Sequence, residues 1–322
     1  MHSDPAMPVS PSAPIPHANP FPLEILEAFV DELGNSRKVY GGRGSHKALA
    51  SCLLVSRAFR QRARRYIFAE IAIFGAFATG EFDDARVKRR ISLLRNLTLD
   101  VKDTEDSILP LIQDVEITSR NGWTRNSIYP DNQDMIEILT AIDQKSTNFH
   151  SLKFDFHERL VWSSLSSEFR LISLHLIRSP RLTSLYMRAM DHLPSSLLSR
   201  VTASEIHLLG LTCDISFILR WNEQHDEPDG GVAPENAFPP LQYLRTDTTR
   251  VHDLLYDVEK RRVFRCSLEK AVFYLDDVTI ETSFQNAANI LAGSESTLQE
   301  LTFQFPALCL VPSFIPRFLT SF

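Results

Sequence analysis

The chain has 322 residues, 43% of them hydrophobic, and a formal net charge of −6 at neutral pH. That is enough apolar chain for a full core beside a small module, and no apolar run approaches the roughly 20 residues that cross a bilayer, so a soluble protein without a membrane partner is expected. Four cysteines, Cys52, Cys213, Cys266 and Cys309, stand far apart without a CxxC pair, which points to reduced thiols of a cytoplasmic or nuclear protein and away from a zinc site.

Residues 1–20 carry Pro5, Pro8, Pro11, Pro14, Pro16 and Pro20 with neither a basic start nor an apolar core, so a disordered tail is expected there and not a signal peptide. A helical module is expected over 21–74. Pro22 fits the first helical position, Glu24 complements the positive end of the dipole, and Ile25, Leu26, Phe29, Val30 and Leu33 recur at helical spacing up to Gly34, which reads as a C-terminal stop. The polar, Gly-rich stretch from Asn35 to Lys47 reads as a loop. Its Gly41-Gly42-Arg43-Gly44 run is a poor phosphate loop, because Ala48 stands where a magnesium-binding Ser or Thr is required and no strand precedes it. A second helical series follows at Leu49, Cys52, Leu53, Phe59, Ala63 and Ile67. The head is basic, with nine Lys/Arg against five Asp/Glu between Phe21 and Phe74, and its densest part is Arg57, Arg60, Arg62, Arg64 and Arg65.

At these residues the chain resembles the F-box family. Phe21-Pro22-Leu23-Glu24-Ile25-Leu26, then Phe29, Leu33 and Leu49, then Leu54-Val55-Ser56-Arg57-Ala58-Phe59-Arg60 and Arg65-Tyr66-Ile67-Phe68 look like the divergent F-box-like form abundant in mushroom-forming fungi. Phe21 replaces the usual leading Leu, Phe59 replaces the common Trp, and the 35–47 stretch is longer than in the compact family form. The resemblance implies binding to a Skp-type adaptor and, through it, to a cullin-RING ubiquitin ligase. Carried over position by position, it implies adaptor contacts from Pro22, Leu23, Ile25, Leu26, Leu54, Val55 and Phe59. The bland alternative is that these are core residues of a small helical subdomain.

From about residue 90 the texture changes to short apolar strands separated by helix-like segments. A spacing of apolar, two variable, apolar, one variable, apolar starts at Leu94, Ile112, Phe149, Leu182, Leu268 and Leu298, with degenerate copies at Ala203 and Leu241 and a mean step near 29 residues. Turn residues precede three of these strands, at Ser179-Pro180-Arg181, Pro239-Pro240 and Ser296-Thr297. Helices are expected over Gln133–Ile142, Ser167–Ile177, Val251–Val263 and Phe284–Leu291. Residues 75–322 therefore resemble an irregular leucine-rich-repeat solenoid without the Asn that marks regular repeats. The expected fold class is α/β, a helical F-box followed by this solenoid with a curved parallel sheet.

In such a solenoid the variable strand positions face a partner, and Lys153, Tyr186, Arg188, His207, Tyr243, Arg245 and Tyr274 are chosen because Tyr and Arg are favoured interface anchors. Each alone is more ordinarily a solvated strand residue. Trp221 to Pro240 is acidic and rich in Gly and Pro, so a long exposed loop is expected, and the apolar stretch from Leu301 to Phe322 is a poor terminal cap that leaves the completeness of the solenoid open. No nucleophile motif, metal-ligand spacing or cofactor motif is present, His150 and His157 being placed on opposite strand faces by alternation. The expected function is that of a non-enzymatic substrate receptor of an SCF-type ligase, needing no cofactor and acting on an unknown protein substrate. The alternative is a repeat scaffold with the head as a structural cap. Nucleic-acid binding through the arginine cluster ranks third, since the overall pI is near 5.9 and stacking aromatics are lacking.

Overall fold

The computed structural model describes residues 22–40, 43–74, 81–99, 107–119, 132–198, 201–211, 241–247, 266–275, 280–291, 294 and 296–304. The proline-rich tail, the 221–240 stretch, the expected helix over 251–263 and the segment after 304 lie outside them. The chain divides into two units between Ile67 and Phe68.

Among the described residues the first unit is three helices, α1 (Leu23–Tyr40), α2 (Arg43–Cys52) and α3 (Arg57–Ile67). Val30, Leu49, Cys52 and Ala63 form its small core, with Leu33, Leu53, Phe59, Tyr66 and Ile67 packed around them. Two expectations are corrected here. Gly34 does not stop a helix: α1 runs through it to Tyr40, and α2 begins at Arg43, inside the stretch expected to be a loop. Gly34 is buried, and a Cβ there would lie 2.2 Å from the Tyr66 ring, so glycine serves the close approach of α3 to α1 and not a cap. The second apolar series is two helices. A turn at Leu53–Val55 separates them, and Ser56 opens α3 by accepting a hydrogen bond from the Phe59 amide at 3.3 Å.

Among the described residues the second unit is built on eight strands: β1 (Glu70–Phe74), β2 (Asp114–Ser119), β3 (Ser151–Val161), β4 (Ser184–Asp191), β5 (Glu205–Leu209), β6 (Leu241–Asp247), β7 (Cys266–Tyr274) and β8 (Glu300–Gln304). They form one open sheet in chain order, every neighbouring pair parallel. A parallel pair needs a crossover, and crossovers are right-handed, so among the described residues the helices between strands laid down in strict order fall on the same face. The helices α4 (Glu81–Leu99), α5 (Gln133–Lys145), α6 (Ser167–Ile177) and α7 (Ile280–Leu291) accordingly share one core with the strands. That core is dominated by Ile117, Phe154, Phe156, Met187, Leu208 and Phe273 from the sheet and by Ile138, Phe169 and Ile290 from the helices. Local signals agree with it: Asn132 caps α5 through the Asp134 amide at 2.8 Å, and Ser166 caps α6 through the Phe169 amide at 3.2 Å.

The apolar spacing marks real strands at Ile112, Phe149, Leu182, Ala203, Leu241, Leu268 and Leu298, whose second and third positions, Thr246 being the polar member, fall in register across the sheet. Leu94 is a correction: it lies in α4, where Val87, Ile91, Leu94 and Thr98 turn inward at helical spacing. The missing strand is β1, with Phe68, Ile71 and Ile73 in the same spacing. Residues 68–74 thus belong to the sheet and not to the helical head, which moves the expected boundary at 74 back to 67. Among the described residues no helix is long and apolar enough to cross a membrane.

Candidate functional sites: an exposed apolar set on the head and the open face of the sheet

Two surfaces gather the residues singled out by the sequence. On the first unit, Leu23, Ile25 and Phe29 from α1 are 50%, 55% and 58% exposed, and Leu54 and Val55 from the α2–α3 turn are 86% and 65% exposed. Pro22 is exposed just ahead of α1, its carbonyl accepting the Ile25 amide at 3.1 Å. The other two expected contacts behave differently: Leu26 is half-buried, and Phe59 is packed against the core of its own unit. Phe29 is absent from the expected contact set although it is as exposed as Ile25. Its position one turn after Ile25 was the available signal.

The arginine cluster has internal work. Arg62 forks onto Asp31, with Nε 2.6 Å from Oδ1, and Tyr66 donates its hydroxyl to the same oxygen at 3.0 Å. Glu27 lies 3.8 Å from the same guanidinium. The hydrogen bond from Arg62 holds the Asp31 carboxyl below the usual carboxylate range, and Asp31 in turn holds Arg62 above the ordinary arginine value. Burial, with the bond to Asp31 second, raises the Tyr66 phenol. Arg60 donates from Nε to the Leu53 carbonyl at 3.1 Å, closing the end of α2. Arg62 therefore ties α1 to α3, and Arg60 ties α3 to the turn that follows α2.

On the second unit, the face opposite the helices carries all seven strand residues expected to meet a partner. Lys153 of β3, Tyr186 of β4, His207 of β5 and Arg245 of β6 lie in one register row. Arg188 sits beside Asp155 in the next row, Tyr274 opposite Asp247, and Tyr243 opposite Lys270. Alternation is the cause: Leu152, Phe154, Leu185, Met187, Ile206, Leu208, Leu244 and Phe273 turn into the core, which sends their neighbours outward. Among the described residues no helix covers this face.

The face is a mesh of cross-strand pairs. Lys153 Nζ lies 3.0 Å from Glu116 and 3.1 Å from Asp155. Burial works against its charge, but the hydrogen bonds to both carboxylates outweigh that and raise its pKa. Asp155 also meets Arg188 at 3.4 Å, and Lys270 is bonded to Glu300 at 2.7 Å, which raises the lysine's pKa. Three rings run side by side, Tyr186 to His207 at 5.7 Å and His207 to Tyr243 at 4.9 Å between centroids. Each tyrosine carries a cation: Lys153 over Tyr186 at 5.1 Å, Lys270 over Tyr243 at 5.9 Å, and Arg245 over Tyr274 at 5.0 Å. His207 Nε2 lies 2.8 Å from Glu205, and its side chain is only 16% exposed. The acidic partners Glu116 and Glu300 were missed in the sequence because each comes into place only through strand pairing, and Glu205, two residues before His207 on β5, was missed although alternation puts it on the same face.

Among the described residues no group of three or more His, Cys, Asp or Glu is placed to hold a metal ion. No protein-family model and no curated protein matches the chain.

Proposed function

We propose that this chain is the substrate-recognition subunit of an SCF-type cullin-RING ubiquitin ligase, its head an F-box-like module docking a Skp-type adaptor and its second unit an irregular leucine-rich-repeat solenoid reading a protein target. It contributes no catalytic group of its own and works in the cytoplasm or nucleus. The observation that carries the reading is the exposure of Leu23, Ile25, Leu54 and Val55, which the F-box resemblance assigns to the adaptor. Large apolar side chains held in water on a three-helix unit are unfavourable alone and become anchors when a partner covers them. The strictly ordered parallel sheet, with helices on one face and polar and aromatic residues on the other, supports a repeat receptor in the same way.

The test is co-purification of the full chain with a Skp-type adaptor and cullin, comparing wild type with Pro22→Asp plus Leu54→Asp. Both positions are exposed, so the double variant keeps its fold, checked by thermal unfolding. Stoichiometric capture by wild type, reduced at least about a hundredfold in the variant, is expected from two lost apolar anchors at roughly 1.5 to 3 kcal/mol each. A wild-type chain that captures no adaptor would overturn the ligase reading and leave a repeat scaffold whose head is a structural cap.

A further inference from the structure

The cations of the open face are almost all spoken for. Lys153 is shared by Glu116 and Asp155, Arg188 meets Asp155, Arg159 meets Asp191 at 3.0 Å, and Lys270 meets Glu300. Arg245 is the exception: among the described residues it has no carboxylate partner, and its guanidinium lies over the face of Tyr274. Its Nε is buried without a hydrogen-bond partner. A half-buried guanidinium with an unmatched charge and an unmade hydrogen bond is costly, and such a group is retained where something else completes it.

The surroundings define what completes it. Arg245 lies beside His207 in register, with Tyr243 two residues earlier on its own strand and Tyr274 on the next, so the charge sits among aromatic rings. Two acids bound the spot: Glu205, bonded to His207, and Asp247, two residues further along β6. A doubly charged phosphate would be repelled by both. A single carboxylate instead matches the one unpaired charge, accepts two parallel bonds from the planar fork, and leaves the rings for an apolar neighbour in the same peptide.

We infer that the part of the open face around Arg245, between β5 and β7, binds an acidic peptide segment of a protein partner, anchored by one Asp or Glu carboxylate on the Arg245 guanidinium. This deepens, and rests on, the reading of the open face as the target-binding surface. Arg245 supplies the charge, Tyr243 and Tyr274 the walls, and the neutralised Lys153 and Lys270 do not compete for the anchor.

The test uses the full chain and three immobilised pools of short peptides with randomised flanks and a fixed central residue, either Asp/Glu, Asn/Gln or phosphoserine. Wild type is expected to be retained about tenfold better on the carboxylate pool than on the amide pool, the size of one charge-assisted bond at a partly exposed site. Arg245→Gln brings that ratio to about one, and Arg245→Lys, which keeps the charge without the fork, brings it part of the way. Lys145→Gln, an exposed cation in the last turn of α5 and off this face, leaves the ratio unchanged. Equal retention of wild type on the carboxylate and amide pools, preference for phosphoserine, or a ratio indifferent to both Arg245 variants overturns the inference. Adaptor capture is measured in parallel: capture without carboxylate preference strikes this inference alone, and carboxylate preference without capture strikes the ligase reading alone.

Discussion

Asp31 shows how one side chain holds a small unit together. It receives the Arg62 fork and the Tyr66 hydroxyl, and so fastens α1 to α3 where the apolar core is only a few residues wide. Because its carboxyl titrates lower in the folded head than in an unfolded chain, the pair contributes stability that is fully present above the ordinary Asp range, near pH 4, and lost as pH falls through the depressed folded value. Tyr66 acts in the opposite window: its raised pKa means stability present below about pH 10 and lost as the phenol ionises. Urea titrations followed at the amides of α1 and α3 should give a difference between wild type and Asp31→Asn that is constant above pH 5 and shrinks as acid protonates Asp31. A difference that stays constant into strong acid would show that the carboxylate contributes nothing.

At the scale of elements, consecutive units of the sheet are joined by hydroxyl groups. Ser146 donates to the Ile112 carbonyl at 3.0 Å, Thr202 to Leu182 at 3.4 Å, and Thr297 to Leu268 at 3.0 Å. Each acceptor is the first apolar residue of the preceding unit. Arg181 adds a further tie, donating to the carbonyls of Asp143 and Ser146 at the end of α5. Ser146 is fully buried, so Ser146→Ala is expected to cost about 1 to 2 kcal/mol by urea midpoint at unchanged slope, whereas Thr147→Ala in the exposed part of the same turn should stay within about 0.5. Equal effects at the two positions would remove the buried bond from the account. The strands themselves were legible because Phe149, Leu152 and Phe154, and their counterparts in later units, repeat one spacing, in several units directly behind a turn. The same spacing misleads at Leu94, Leu97 and Leu99, since positions three and five apart also occur on a helix, and α4 claims them. Gly34 was illegible for another reason: its role is set by Tyr66, more than thirty residues later, and local propensity carries no trace of that. On the open face, alternation made the seven outward residues readable, but not which cations are neutralised, because most of the neutralising carboxylates, Glu116 to Lys153, Asp155 to Arg188 and Glu300 to Lys270, arrive from neighbouring strands.

Across the second unit as a whole, each strand pairs only with the strands before and after it in the chain, so stability is a chain of nearest-neighbour terms and damage should stay local. The β8 end is where this is easiest to test. Phe303 is half-buried, stacks on Phe273 of β7 at 5.8 Å and meets Phe284 of α7 edge-on at 5.2 Å, so it is the main apolar hold of the last strand on its neighbours. Phe303→Ala should cost about 2 to 3 kcal/mol, less than a fully buried Phe because part of the ring already meets water. Hydrogen exchange should then accelerate at the amides of β7, β8 and α7 and remain at the wild-type rate in β2, β3 and β4, four or more strands away. Uniform acceleration across all eight strands would mean that the sheet opens as one cooperative body, and that the ordered pairing, though correct as topology, does not divide its stability.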